Sequence, residues 1–305
     1  AVAHTIDVYS KFTFDYPYPV AISAHINHMG MEYPMICFNG YRPEEDGTYS
    51  ERTKKGLISV VIHEVGHNYF PMIVNSDERQ WTWMDEGLDS FVQYLAEQEW
   101  DRDYSSRRGK ASGIVNYMKG DKSNIMPIMT NSESIYQFGA NAYGKPATAL
   151  NILRETIMGR ELFDFAFKEY SQTWMFKHPT PTDFFRIMEN ASAIDLDWFW
   201  RGWFFGNDHV DLSLDSVDWY QLSSMNPEIE KELQKEEEGN SPEYIGNIRN
   251  ETDVKETVTE RDPAARDFYD NYDKNQVTDR DRREYEDFLD DLSDEERELV
   301  SKNDN

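Results

Sequence analysis

Between residues 18 and 35 apolar and polar positions alternate in short runs, with Val20, Ile22, Ala24 and Ile26 spaced two apart and prolines as punctuation. A period of two suits strands better than a helix. The period then lengthens. Leu57, Val60, Val61, Val65 and Tyr69 recur three to four apart, which predicts a buried helix over residues 57–74, and residues 85–100 read as a second one. Further helical periodicity covers residues 143–158, 161–175 and 182–190, with Pro179 and Pro181 breaking the chain between the last two. Strands first and helices after gives an α+β outline.

Charge divides the chain. Residues 221–305 hold 27 acidic and 12 basic residues, a net of −15, against 31 and 19, a net of −12, for residues 1–220. All eight tryptophans and all seven histidines precede residue 221. Residues 1–220 therefore read as one folded, aromatic-rich unit that carries the chemistry. Residues 221–305 read as an acidic extension, mostly helical or partly disordered. A total of −27 over 305 residues repels a phosphate backbone, which makes nucleic acid a poor partner, and would concentrate cationic peptide termini near a cleft. No run of about eighteen apolar residues provides a membrane span, and the first residues lack a basic, apolar, small-residue leader. With the single Cys37 neither an internal disulfide nor a thiolate cage can form, so a metal site must draw on His, Asp or Glu.

One stretch supplies such a set. In His63-Glu64-Val65-Gly66-His67 the two imidazoles are four residues apart on the predicted helix and share a face, so both can reach one ion. Glu64 projects about 100° around from His63 and can address a water on that ion. A catalytic zinc needs a third protein ligand and keeps one position open for water. Glu86, 19 positions after His67 at the start of the next predicted helix, can return its carboxylate to the metal; the competing reading is an ordinary first-turn acid favoured by the helix dipole.

With HExxH, eighteen residues and then Glu in place, the sequence resembles the aminopeptidase N and leukotriene hydrolase group of gluzincin zinc peptidases. The resemblance covers residues 15–215. It implies a thermolysin-like catalytic domain made of a small mixed sheet lobe and a helical lobe, one Zn²⁺ held by His63, His67 and Glu86, and Glu64 as general base. Asn68-Tyr69-Phe70 stands where relatives carry a polar-aromatic-Phe run. Gln93 occupies the place of a glutamate seven positions past the ligand Glu in many relatives; it can accept a hydrogen bond from a ligand histidine but brings no charge. The exopeptidase sequence GxMEN has its counterpart in Met29-Gly30-Met31-Glu32-Tyr33, which implies that Gly30, Met31 and Glu32 contact substrate and that Glu32 binds the free α-amino group. Tyr143-Gly144-Lys145-Pro146-Ala147, 57 residues past Glu86, is similar to the family's Tyr-x-Lys-Gly-Ala stretch and implies Tyr143, rather than Tyr136, as the oxyanion donor; Pro146 replaces the Gly. Peptides are the implied substrates.

Relatives also carry an N-terminal β domain and usually a further C-terminal domain. The sequence thus reads as a catalytic-domain fragment of a longer protein, with its compartment left open. Two rival readings use other features. Glu32 could be merely structural in a zinc endopeptidase, or a zinc fold without catalysis could act as a binding module through its acidic tail.

Overall fold

The computed structural model describes residues 1–27, 30–40, 47–209, 225–266, 273 and 275–303. Two compact units divide the chain: Ala1–His209 with Ile245–Asp267, and Val210–Tyr244 with Phe268–Asn305. A boundary near residue 220 falls outside the described residues.

The first unit opens with a helix, α1 (Val2–Phe12), ahead of the strands, which corrects the expectation of strands first. Its buried positions Thr5, Val8, Tyr9 and Phe12 are spaced three to four apart, a stripe only eleven residues long that packs on the helical core. Three strands follow: β1 (Ile22–His25), β2 (Gly30–Tyr33) and β3 (Ile36–Asn39). Their order is β1-β3-β2, with β1 parallel and β2 antiparallel to β3. Gly30 pairs with Asn39 and Glu32 with Cys37, and among the described residues β3 is the only strand beside β2, which places β2 at the sheet edge. Buried Cys37 packs on Val61 and Val65 and seats the sheet on the next helix.

That helix, α2 (Glu51–Gly66), starts at Ser50, whose side chain accepts from Thr53 N. It ends earlier than the apolar period predicts. After His67 a single π-type turn spans Asn68–Ile73, with Phe70 extended (φ −131°, ψ 114°) before Pro71. Proline has no N–H to donate and pushes its predecessor out of the helical region, so the apolar run past residue 66 is buried without being one helix. The helix α3 (Glu86–Trp100) is buried along most of its length and packs against α1 and α2.

Beyond it come the single turn α4 (Val115–Met118), α5 (Lys145–Ile152, with π-type turns on either side), α6 (Arg160–Thr173), α7 (Pro181–Ser192) and α8 (Asp197–Trp200). Asp183 closes a capping box with Thr180 at the start of α7, the helix that Pro179 and Pro181 set off from α6. Trp83, Phe91, Phe163, Phe167, Phe184, Phe199 and Phe204 are fully buried in one aromatic cluster, each contributing roughly 1.5–3 kcal/mol of apolar burial. Phe199, Trp200 and Phe204 of the aromatic run near residue 200 belong to this core, whereas Trp198 is 61% exposed.

Two short helices of the acidic sequence region, α10 (Ile245–Asp253) and α11 (Val258–Arg261), belong to the first unit rather than to a separate extension. Arg102 pairs with Glu260 (2.6 Å) and donates to the carbonyls of Asn250 and Val254, while Arg160 pairs with Asp253 (2.8 Å). In the second unit α9 (Pro227–Asn240) meets α12 (Asp279–Asp290) through Lys231–Asp281 (2.6 Å) and Arg282–Glu228 (2.9 Å), and α13 (Asp294–Asn303) follows. Among the described residues of this unit none is buried, so ion pairs rather than an apolar core join its helices. No helix among the described residues is long and apolar enough to cross a membrane.

Candidate metal centre and active site

His63 lies in the last turn of α2 and His67 at its C-cap, where His67 N still donates to His63 O (3.1 Å), so the i, i+4 relation survives to the helix end. Glu86 opens α3. Its Oε2 stands 3.0 Å from His63 Nε2 and 3.3 Å from His67 Nε2, and the two Nε2 atoms are 3.1 Å apart. Donors bound to one zinc at about 2.1 Å with tetrahedral angles stand about 3.4 Å from one another, so this trio has the size of a zinc ligand set.

The surroundings of the imidazoles fix their chemistry. His63 Nδ1 donates to Gln93 Oε1 (3.0 Å), and His67 Nδ1 to the carbonyl of Phe70 (2.8 Å). Gln93 Nε2 in turn donates to Glu97 Oε1 (2.9 Å) and the Ser59 carbonyl (3.3 Å), which orients its oxygen toward His63. With Nδ1–H committed to these acceptors, each Nε2 presents a lone pair to a metal.

Carboxylates that the sequence reading passed over lie behind both rings. Asp89 Oδ2 is 2.7 Å from His63 Nδ1, and Asp85 Oδ1 is 3.0 Å from His67 Nδ1. A carboxylate where Gln93 offers only an amide is supplied by Asp89, one turn nearer Glu86. Tyr9 OH donates to Asp89 Oδ1 (2.8 Å). Gly66 explains the small residue between the histidines: a Cβ there would lie 2.3 Å from both Asp89 Oδ1 and Tyr9 Oη. A glycine within the HEVGH run, with acids at i+3 and i−1 of Glu86, was the available signal for Asp89 and Asp85; each taken singly looks like a helix-start acid.

So many acids favour positive charge at the centre. Burial by itself lowers the His63 pKa, but Asp89 reverses this and brings it up to about 10. Burial would raise Glu86, yet its hydrogen bonds to both imidazoles hold it well below the usual carboxylate range. Asp85 is pushed up to about 8 by burial, opposed by His67. A donor set of two imidazoles and a carboxylate, backed by further acids, fits a divalent cation.

Glu64 is buried beside the trio, its pKa raised to about 7 by burial. Glu32 on edge strand β2 brings a carboxylate oxygen within 4.8 Å of donor atoms of Glu64 and His67. Gly30 on the same strand lies so close that a Cβ would stand 2.3 Å from Glu64 Oε1. Met31 sits between them, paired with Phe38; Met29 and His28 lie outside the described residues. Tyr143, in the π-type turn before α5, donates to Glu86 Oε1, and its ring stacks on His63 with centroids 5.6 Å apart. Its competitor Tyr136 is 72% exposed. Pro146 packs where a Cβ on Gly87 would clash at 2.7 Å, so the first turn of α5 rests on the start of α3. A cavity of about 520 Å³ opens onto His63, Glu64 and Tyr143.

Residues 2–203 match the Peptidase family M1 domain. The chain belongs to peptidase family M1. This M1 chain is 25% identical over 183 residues to glutamyl aminopeptidase of Bos taurus, covering 58% of the chain and 19% of that protein. It is 27% identical over 166 residues to probable aminopeptidase 2 of Sulfurisphaera tokodaii, covering 52% and 21%. Its fold is similar to that of a variant of the M1 zinc metallopeptidase from Deinococcus radiodurans (TM-score 0.53, 19% identity, 69% of this chain and 45% of that one). Native yeast LTA4 hydrolase is also similar (TM-score 0.51, 16% identity, 82% and 41%). The chain spans about a fifth of the length of the curated relatives it matches.

Proposed function

We propose that this M1 chain carries the catalytic machinery of a zinc aminopeptidase that removes the first residue from peptides, with one Zn²⁺ held by His63, His67 and Glu86. The observation that supports this best is the meeting of His63 Nε2, His67 Nε2 and Glu86 Oε2 within 3.0–3.3 Å, beside the buried Glu64. When bound, zinc supplies Lewis acidity toward the scissile carbonyl and its attacking water. Glu64 takes the proton from that water and later delivers it to the leaving amine. The Tyr143 hydroxyl, already at the metal-facing carboxylate, donates to the oxyanion as it develops. Gln93 and Asp89 hold the His63 ring in register. Glu32 pairs with the substrate α-ammonium, and the edge of β2 at Gly30 and Met31 runs alongside the substrate backbone.

The aminopeptidase names of the relatives favour the exopeptidase reading. Peptides with free and with acetylated N-termini, assayed with and without chelator, test it. Release of the first residue is expected from the free peptides alone, abolished by chelator and by Glu64→Gln. Equal cleavage of the acetylated peptides would mark an endopeptidase, and metal analysis without zinc would leave a binding module.

A further inference from the structure

The cavity does not end at the metal centre. From His63, Glu64 and Tyr143 it follows one face of α2 back through Ser59 and Gly56 to Lys55 and Arg52, and on the other side it is lined by Arg107 and Arg108. At 1.5 Å of rise per residue, Lys55 lies roughly 12 Å before His63 along the helix. Four cations therefore line a cleft in a chain whose net charge is −27.

Among the described residues little neutralises them. Glu51 pairs with Lys55 at 2.6 Å. Glu97 is buried and accepts from Gln93, and burial raises its pKa. Arg52, Arg107 and Arg108 have no guanidinium hydrogen bond or ion pair within 4.0 Å among the described residues. The Arg108 guanidinium carbon lies 5.1 Å from the centre of the Tyr143 ring; Glu97 and Glu86 act on it only from beyond ion-pair distance. A half-buried guanidinium with an aromatic ring but no anionic partner among the described residues is costly, and a planar carboxylate matches its fork of donors.

The direction of the cleft decides which part of a substrate meets these charges. Glu32 lies by His67 and Asp85, at the end of α2, and is not among the cavity's lining residues. The cavity leads the opposite way, toward the helix start. A peptide with its ammonium at Glu32 and its first carbonyl at the metal centre runs its remaining residues down the cavity. We infer that the cleft beyond the scissile bond recognises a carboxylate on the leaving peptide, with Arg108 meeting the first residue after the cut and Arg107, Lys55 and Arg52 those further along. This rests on the peptidase reading above and names its substrate class. The carboxylate is either an acidic side chain or the α-carboxylate of a short peptide.

Peptides sharing a neutral first residue separate these sources: Leu-Glu-Ala-amide, Leu-Gln-Ala-amide, Leu-Lys-Ala-amide and Leu-Gln-Ala as the free acid. With the zinc-loaded protein, kcat/KM for the Glu amide is expected to exceed that for the Gln amide about tenfold, mainly through KM, and the Lys amide to be poorest. A free acid cut faster than its amide assigns the α-carboxylate instead. Arg108→Gln should bring the Glu-to-Gln ratio close to one. Should that variant not fold, the double variant Arg52→Gln, Arg107→Gln, on exposed side chains, should still lower the ratio. Calorimetric binding to Glu64→Gln should rank the peptides in the same order and weaken with salt. Equal cleavage of all four peptides, or a ratio that survives Arg108→Gln, overturns this inference and leaves the aminopeptidase reading standing. Absence of any cleavage with the binding order retained overturns the peptidase reading instead.

Discussion

Gly30→Ala is the sharpest probe of the arrangement around Glu64. A Cβ at residue 30 would stand 2.3 Å from Glu64 Oε1, 3.1 Å from Glu64 Cδ and 3.0 Å from Val60 Cγ2. Ordinary contact begins near 3.4 Å, so the carboxylate must retreat by about 1 Å. It is the far end of a flexible side chain and can do so without unfolding anything. Alanine is also favoured over glycine in a strand by about 0.5–1 kcal/mol, which protects stability. Nothing in the clash touches His63, His67 or Glu86, so zinc content should be unchanged. With Glu64 in its proposed role the rate should not be spared, because a misplacement of about 1 Å at a group that transfers the proton costs on the order of 10²-fold. The expected result is a drop of that size in kcat/KM on an aminoacyl p-nitroanilide, with Tm and bound zinc as in the parent. A variant with parental rate, Tm and zinc would refute both the contact and the role given to Glu64.

Asp89→Asn keeps an acceptor for Tyr9 but removes the charge behind His63, and zinc affinity measured against a competing chelator should fall about 10–100-fold; an unchanged affinity would mean that Gln93 alone sets that ring. Lys145 is buried, and burial lowers its pKa from 10.5 to about 8. The folded state thus disfavours the protonated amine, a cost that is complete below pH 8 and fades toward 10.5. Lys145→Met should accordingly raise stability at pH 7 by about 3 kcal/mol and much less at pH 10.5, read from denaturant midpoints, and a destabilised variant at pH 7 would contradict this. The Glu260 carboxyl is held down to about 2, chiefly by Arg102, so its contribution is present above the unfolded value of 4.5 and lost as pH falls toward 2. Amide exchange across Val258–Arg261 should therefore quicken between pH 5 and 3 relative to α3, and Arg102→Gln should remove that dependence; a flat profile in the parent would count against the ion pair.

What the sequence by itself determined is whatever backbone geometry repeats. The i, i+4 spacing aligned His63 with His67, the apolar period drew α3 and so placed Glu86 at a helix start, and seven residues on that helix brought Gln93 to the same side. The alternation before residue 35 announced strands, though not the third one, Ile36–Asn39. Tertiary structure decided the rest, because it depends on which elements meet. Asp85 and Asp89 look like ordinary helix-start acids until α3 is packed against α2. The residues around Tyr143 set it apart from Tyr136 in the sequence, but only the fold brings its hydroxyl to Glu86 and leaves Tyr136 exposed. The short stripe of α1 and the break at Pro71 were outweighed locally by longer apolar runs, and the return of α10 and α11 to the first unit rests on Arg102 and Arg160, about a hundred residues or more away in sequence. Net charge pointed toward cationic partners, whereas the cleft is lined by Arg52, Lys55, Arg107 and Arg108: a sum over the chain carries no information about where folding puts each charge.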